Sequence, residues 1–212
     1  MLNIDLHMHT NCSDGMLSPK EILSLAQERN LNVISITDHD TLEGFCAAKE
    51  IISDYNIKLI PGVEISTNFQ GKDVHLLAYN IDYHDKKLIT MLHSIKEGRI
   101  TRAKKIIDKL ETLGIKIDFE EVKKKAGHNN IIGRPHIARV MVENGFCESK
   151  KAAFNDYISH DAPGLFCQNQ HQILSEIIDV CEEAGGNSYN CSSFLLIKEE
   201  YVLKKSSWIL GH

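Results

Sequence analysis

No two of the six cysteines form a CxxC pair: Cys12, Cys46, Cys147, Cys167, Cys181 and Cys191 are scattered through the 212 residues. That scatter argues against a cysteine zinc site and against a thioredoxin-like redox motif. Cysteines so placed fit a reducing compartment, as small buried or neutral side chains. An apolar run long enough to span a membrane is lacking too. The N-terminus has no basic segment leading into an apolar one, so no signal peptide is read there. A cytoplasmic protein with no membrane partner is expected, and nothing implies a protein partner. Positive charge is in short supply. Lys and Arg number 24 against 29 Asp and Glu, a formal net charge of -5, so no global basic field draws nucleic acid. A small anionic substrate stays open, because a metal could hold it. Hydrophobic residues make up 42% and charged residues 25%, ordinary for a soluble globular chain. The length suits one domain with a core, or one domain carrying an insertion.

What the chain does have is eleven histidines, and their placement says more than their number. Asp5 to Thr10 reads DLHMHT. Leu2, Ile4 and Leu6 alternate with Asn3, Asp5 and His7, the period of a β-strand. His7 and His9 then share a face with Asp5. Imidazole and carboxylate converging at a strand end suit Zn, Mn or Fe. The same stretch also reads as an exposed strand end carrying ordinary polar residues.

The following residues organise as alternating elements. Ser18-Pro19-Lys20-Glu21 is a helix start, with Ser as cap, Pro at the first position and Glu three residues after the cap. Ile22, Leu23, Leu25 and Ala26 supply its apolar face. A β-branched strand follows over Val33 to Ile36, then a helix in TLEGFCAAKEIISDYN. The stretch IKLIPGVEIST is a third strand reaching Glu64, and DVHLLAYNI a fourth carrying His75. Strands alternating with helices predict a parallel sheet or barrel. His7 and His9, then Asp38-His39-Asp40, then Glu64 all fall at C-terminal strand ends, where ligand sites of such folds lie. His75 sits early in its strand, a different geometry.

From about 88 to 160 the pattern is helical throughout, with an alternating-charge face in KKLITMLHSIKEGRITRAKK and a solvated run at Lys123, Lys124 and Lys125. A further amphipathic helix, HQILSEIIDVCEEAGG, ends in the cap signal Gly185-Gly186.

Taken together, DLHMHTNCSDG, ITDHDT, PGVEIS and VHLLAYNID resemble the PHP (polymerase and histidinol phosphatase) domain family, in family order and spacing. GRPHIARVMVENG and AFNDYI extend the likeness to about residue 186. The match is nearest the stand-alone metal-dependent phosphoesterases, which include nucleoside 3′,5′-bisphosphate phosphatases and 5′–3′ exoribonucleases. The resemblance implies an α/β fold, a distorted seven-stranded β/α barrel with up to three divalent metals. Here that barrel would be incomplete at the C-terminus and would carry an all-helical insertion. The implied division is 1–87 for the first part of the barrel, 88–164 for the insertion, and 165–212 for the barrel's continuation, with an atypical tail from about 187. The implied metal ligands are His7, His9, Asp14, His39, Glu64 and His75, with Mn favoured and Fe or Zn open. Arg134 and His136 match phosphate-contacting positions. Asp5, Asp38 and Asp40 match supporting ones. His84, His93, His128, His160 and His171 match no motif and are expected on the surface.

The tail departs from the resemblance. Relatives continue after EEAGG with an apolar strand ending in Ala-His-Pro, and later an Asp-x-His pair, all supplying ligands. This chain instead reads NSYNCSSFLLIKEEYVLKKSSWILGH. Asn187 to Ser193 is too polar for a buried strand. Codons compatible with that stretch, read one base later, permit Ile-Pro-Ile-Ile-Ala-His-Pro, so a frameshifted tail is expected. Loss of the late strands would open the barrel and expose an edge. A C-terminal His212 is expected to fray rather than ligate.

The resemblance therefore implies a phosphoesterase acting on nucleotides or short oligonucleotides, in which clustered cations neutralise the phosphate and acidify a water. The alternatives are a histidinol-phosphate phosphatase and an inactive, truncated fragment that binds metal at most. A replicative-polymerase module ranks last, because no polymerase region follows.

Overall fold

The computed structural model describes residues 2–69, 72–126, 131–158 and 174–190. The first three strands are β1 (Ile4–Met8), β2 (Val33–Ile36) and β3 (Lys58–Leu59), paired in parallel in the order β1-β2-β3. Between them run α1 (Pro19–Glu28) and α2 (Glu43–Ile51). The Ser18 hydroxyl accepts from the Glu21 N–H at 3.3 Å, and the Ser18 N–H donates to the Glu21 carboxylate at 2.7 Å, the reciprocal cap that the sequence spells. Pro19, Ile22, Leu23 and Ala26 are the buried face of α1.

The stretch expected as one strand over IKLIPGVEIST is two, because Pro61 has no N–H to continue a ladder. It resumes as β4 (Gly62–Phe69) along the same flank of β2. Ile60 N–H donates to the Ile34 carbonyl at 2.8 Å, Glu64 N–H to that of Asp38 at 3.2 Å, and Asp40 N–H to that of Glu64 at 2.8 Å. Gly62 makes this approach possible: a Cβ there would lie 2.3 Å from the Ser35 hydroxyl.

A parallel arrangement throughout does not hold. β5 (Lys72–Tyr79) returns antiparallel to β4, and β6 (Asn187–Asn190) pairs antiparallel with β5. Among the described residues there are thus six strands in two three-stranded sheets; the expected form, a seven-stranded barrel incomplete at its C-terminus, is not shown. The sheets curl: the Tyr79 hydroxyl of β5 donates to the Leu6 carbonyl of β1 at 2.9 Å, although β2 and β4 lie between them in the ladder. β6 forms from the stretch read as too polar for a buried strand, and its Asn187 is exposed. An antiparallel ladder is satisfied by backbone groups, whatever the side chains. Gly185, at φ 76°, turns the chain. Gly186 then packs where a Cβ would meet Ile81 at 2.4 Å. The tail from 191 on, including His212, lies outside the described residues.

The helical part comprises α3 (Lys86–Thr112), α4 (Phe119–Lys125), α5 (Arg134–Glu143), α6 (Lys150–Ala153) and a π-helical turn over Phe154–Ile158. The long α3 serves two cores. Leu88, Met91, Leu92 and Ile95 pack with Val63, Ile65, Leu76 and Ala78 of the sheet. Ala103, Ile106, Ile107 and Leu110 pack with Val122, Ile137 and Met141 of α4 and α5. α7 (Leu174–Glu183) closes over the sheet through Leu174, Ile177 and Cys181.

Lys123 and Lys124 are solvated, and Lys125 pairs with Glu143 at 2.6 Å. His84 and His93 are exposed; His128, His160 and His171 lie outside the described residues. Cys12, Cys46 and Cys147 are half-buried and Cys181 is buried, while Cys167 and Cys191 lie outside the described residues. No described helix is long and apolar enough to cross a membrane.

Candidate metal centre

His7 and His9, at the end of β1, bring their Nε2 atoms to 3.0 Å of each other. Glu64, buried on β4, sits beneath both: its Oε2 lies 2.9 Å from each of those nitrogens. Its Oε1 meets His75 Nδ1 at 2.7 Å. His39, just past β2, places Nδ1 3.9 Å from Glu64 Oε2 and Nε2 3.6 Å from Asp14 Oδ2. Asp14 Oδ1 lies 3.2 Å from His9 Nδ1. The six residues singled out as ligands thus converge in three overlapping trios: His7–His9–Glu64, His9–Asp14–His39 and His39–Glu64–His75.

His75 reaches the cluster because β5 runs in reverse. It stands opposite Ser66 and diagonal to Glu64, which faces Leu77. Antiparallel pairing therefore carries an early position of β5 to the edge where β1 and β2 finish.

The aspartates divide the supporting work. Buried Asp38 accepts from Thr10 N–H at 2.7 Å, Thr10 Oγ1 at 2.6 Å and Ser13 Oγ at 2.6 Å, fixing the loop that carries Asp14. Buried Asp40 accepts from Ser66 N–H at 2.7 Å and from Arg99 Nε. Asp5 is exposed, and its carboxylate accepts from the His7 backbone N–H at 3.2 Å, so it touches the strand and not the imidazole.

Charge in the cluster is shared unevenly. Burial opposes ionisation of Glu64, yet hydrogen bonds from His75 and His9 hold its carboxyl far below the usual range. The hydrogen bond from His9 takes Asp14 down to about 2, against the cost of burial. Burial pulls His9 down, but Asp14 and Glu64 outweigh it and raise the imidazole to about 10. Burial, aided by Arg99, lowers His39 to about 4.

The donor set fits divalent cations. Four imidazoles and two carboxylates are the mixed nitrogen and oxygen set that Mn, Fe and Zn accept. Buried His39 Nδ1 has no hydrogen-bond partner, an orphaned lone pair aimed into the cluster. The residues fit the group, and His7, His9, Asp14, His39, Glu64 and His75 are those that would hold it.

A pH dependence follows. His9 keeps its proton at neutral pH in the metal-free protein, and a ligand must shed it. Its pKa is raised, so the ion pairs it makes stabilise the metal-free fold below the ordinary imidazole pKa and fade as pH rises toward 10. Metal competes with that proton. Mn2+ binding at pH 7 is expected to release about one proton per chain and to tighten as pH rises. Calorimetry in two buffers of different ionisation enthalpy reads the proton directly; heats that do not depend on buffer would contradict it.

Beside the cluster opens a cavity of about 270 Å3. Asp14, His39 and His75 line it, together with Arg134, His136 and Phe154. Arg134 lies over the Phe154 ring, its Cζ 5.9 Å from the centroid. His136 Nδ1 accepts from Gly133 N–H at 3.0 Å, which leaves Nε2 as the protonated nitrogen of the neutral ring. Burial lowers the His136 pKa, so the ring is neutral near pH 7 and Nε2–H is a donor.

Two cavity residues escaped the sequence reading, Arg99 and Arg102 of α3. In the sequence they fall on the alternating-charge face of KKLITMLHSIKEGRITRAKK. The signal was present: Ile95, Arg99, Arg102 and Ile106 form one stripe at helical spacing, two cations interrupting an apolar row.

Comparison with known proteins agrees with this geometry. The PHP domain family profile matches residues 5–177. A 5′–3′ exoribonuclease of Haemophilus influenzae is 35% identical over 182 residues, 86% of this chain and 65% of that protein. A 3′,5′-nucleoside bisphosphate phosphatase of Chromobacterium violaceum is 32% identical over 88% of this chain and 65% of that protein. A solved structure from Chromobacterium violaceum, described as an amidohydrolase with bound sulfate and no metal, superposes with a TM-score of 0.79 at 32% identity. It is matched over 88% of this chain and 65% of its own. The chain thus spans about two thirds of the length of these relatives, 65% in each case.

Proposed function

The chain belongs to the PHP domain family, and from that premise we propose that it is a divalent-metal-dependent phosphoesterase acting on nucleotides or short oligonucleotides. The observation that carries the reading is the convergence of six ligand-type side chains, three of which, Asp14, His39 and His75, line a cavity that is also lined by arginine. Up to three cations, Mn foremost and Fe or Zn otherwise, would be held by His7, His9, Asp14, His39, Glu64 and His75. When bound they would neutralise the phosphate dianion and acidify a water to supply the nucleophile.

The protein's own groups do the rest. Arg134 is braced against Phe154 and offers a planar fork to two phosphate oxygens. His136 Nε2–H donates a neutral hydrogen bond from the first turn of α5. Glu64 keeps the imidazoles of His7, His9 and His75 in register through its two oxygens. We also read the curled sheets as the arc of the family's distorted barrel. The Tyr79–Leu6 hydrogen bond and the parallel bridge between His39 and Glu64 support this.

The names of the relatives favour nucleotide and RNA substrates over histidinol phosphate. The test is phosphate release from a 3′,5′-bisphosphorylated nucleoside, and shortening of a 5′-phosphorylated oligoribonucleotide, by Mn-supplemented protein. Turnover is expected on at least one, lost with chelator and reduced about 100-fold in Arg134→Gln, the loss of a charged bidentate contact. Protein that holds metal and hydrolyses neither substrate, nor histidinol phosphate, would sink the reading and leave the metal-binding fragment.

A further inference from the structure

We propose that the flank of α3 beyond the cavity is a binding track for a single-stranded oligonucleotide, on which Lys105 and Lys109 hold the backbone of nucleotides that lie outside the cavity. The proposal deepens the nucleotide phosphoesterase reading and rests on it.

Two rows of side chains run along α3 at seven-residue spacing, and both change character at the same point. One row is Leu88, Ile95, Arg102 and Lys109; the other is Met91, Gly98 and Lys105. Positions seven apart differ by only about 20° around a helix, so each row keeps to one side. Leu88, Met91 and Ile95 are buried against the sheet. Arg102 lines the cavity, and Lys105 and Lys109 are exposed. The side of α3 that is apolar over the sheet is therefore cationic where the helix leaves the sheet's core for the helical one.

The charges are sorted. The acidic residues of α3 are Glu97, Asp108 and Glu111, and helical spacing puts all three on the other flank, with Lys104. That flank faces α4, since the Lys104 ammonium lies 5.0 Å from the centroid of the Phe119 ring. No carboxylate of α3 shares the flank of Arg102, Lys105 and Lys109. An ordinary solvated helix face mixes both signs. Gly98 keeps the approach clear: a Cβ there would meet nothing within 4 Å.

The cavity, about 270 Å3, is smaller than the range of about 300 to 1,000 Å3 that holds drug-sized ligands. An oligonucleotide with one end in it continues outside, and the cationic rows mark a way out. Lys105 and Lys109 stand about 4.5 and 10.5 Å further along the helix axis than Arg102, at a rise of about 1.5 Å per residue. With a net charge of -5 the chain has no overall field for a polyanion, so the attraction has to be local. Two ammonium groups on a flank without acids supply it. Each is a point charge on a flexible stem, which grips a phosphate without demanding one geometry and so suits a strand of any sequence.

The test is fluorescence anisotropy with Mn-supplemented protein and a labelled oligoribonucleotide whose phosphorothioate links resist hydrolysis. Turnover is not needed, so the result stands whether or not the chain proves to be a phosphoesterase. A strand of about ten nucleotides is expected to bind about tenfold or more tighter than a dinucleotide of the same chemistry. The double variant Lys105→Gln, Lys109→Gln is expected to weaken the longer strand about tenfold or more. Its log–log salt dependence should be shallower by about 1.4, two phosphate contacts on a single strand. Both lysines are exposed and glutamine is a good helix former, so the fold is kept. Lys123→Gln, Lys124→Gln removes the same charge from the solvated face of α4 and is expected to bind the strand as wild type does. A wild-type chain that binds both lengths equally, or binds neither, overturns the proposal. Wild-type affinity and salt slope in the α3 variant overturn it too, as does an equal loss in the α4 variant, which would reduce the effect to net charge. Phosphate release from a bisphosphorylated nucleoside without any length preference in binding would leave the phosphoesterase reading standing and the track refuted.

Discussion

Glu64→Gln is expected to cut Mn2+ affinity by at least 100-fold and to abolish metal-dependent activity, more than the tenfold to 100-fold typical of a supporting residue next to a ligand. The carboxylate is buried, with both oxygens spoken for. One serves His7 and His9, each at 2.9 Å, and the other serves His75 at 2.7 Å. It belongs to two of the three candidate trios. The amide is isosteric but neutral, and half of it becomes a donor facing imidazole nitrogens that need an acceptor or a cation. Elemental mass spectrometry on Mn-supplemented, dialysed protein reads the outcome as metal per chain. Two or three metals retained in the variant would show that Glu64 is not central.

Asp38→Ala is expected to destabilise the fold by about 3 to 5 kcal/mol, because three donors lose a charged acceptor and two of them are held in a buried turn. Thr10 contributes its N–H and hydroxyl, and Ser13 its hydroxyl, at 2.6 to 2.7 Å. The loop they hold carries Asp14, so metal affinity should fall alongside stability. For a chain of this size the loss corresponds to a melting temperature lower by on the order of 10 °C. Gly44→Ala should fail in the same way from the other side, since its Cβ would sit 1.9 Å from Asp38 Oδ2 and 2.6 Å from Thr10 Oγ1. Thermal melts of the metal-free variants decide: a change below 1 kcal/mol in both would mean that the loop stands without Asp38.

The cap of α1, the β2 strand and the buried faces of the early helices were legible because each is set by residues within one or two turns of one another. Ser18, Pro19 and Glu21 need only their own helix. The candidate ligands were legible for a related reason. Placing His7, His9 and His39 at strand ends required only strand period and the habit of such folds to bind at that edge; Glu64, expected at the C-terminal end of its strand, is instead the third of the eight residues of β4. The families of motif then pointed to the set of six that the fold draws together.

What misled was direction and partnership. Nothing local in DVHLLAYNI says that β5 runs against β4, yet that reversal is what brings His75 beside Glu64. Nothing in NSYN announces a strand, because its pairing to β5 is made by backbone groups that every sequence carries. Pro61 was visible, and its missing N–H did break the third strand, but the shared flank of β2 kept both halves in line. Arg99 and Arg102 looked like one more charged stripe. Their burial depends on α3 crossing from the sheet's core to the helical one, with the stripe turned toward the cavity.

The sequence by itself therefore determined the chemistry available here: which residue types, on which elements, on which face. Those properties follow from periodicity and capping, which act over a few residues. Only the tertiary structure decided that Glu64 lies at the centre, that Asp38 holds the loop of Asp14 while Asp40 holds β4 and α3, and that Arg99 reaches the site. Each of those depends on a contact between side chains 11 to 59 residues apart, whose geometry is set by how whole elements pack.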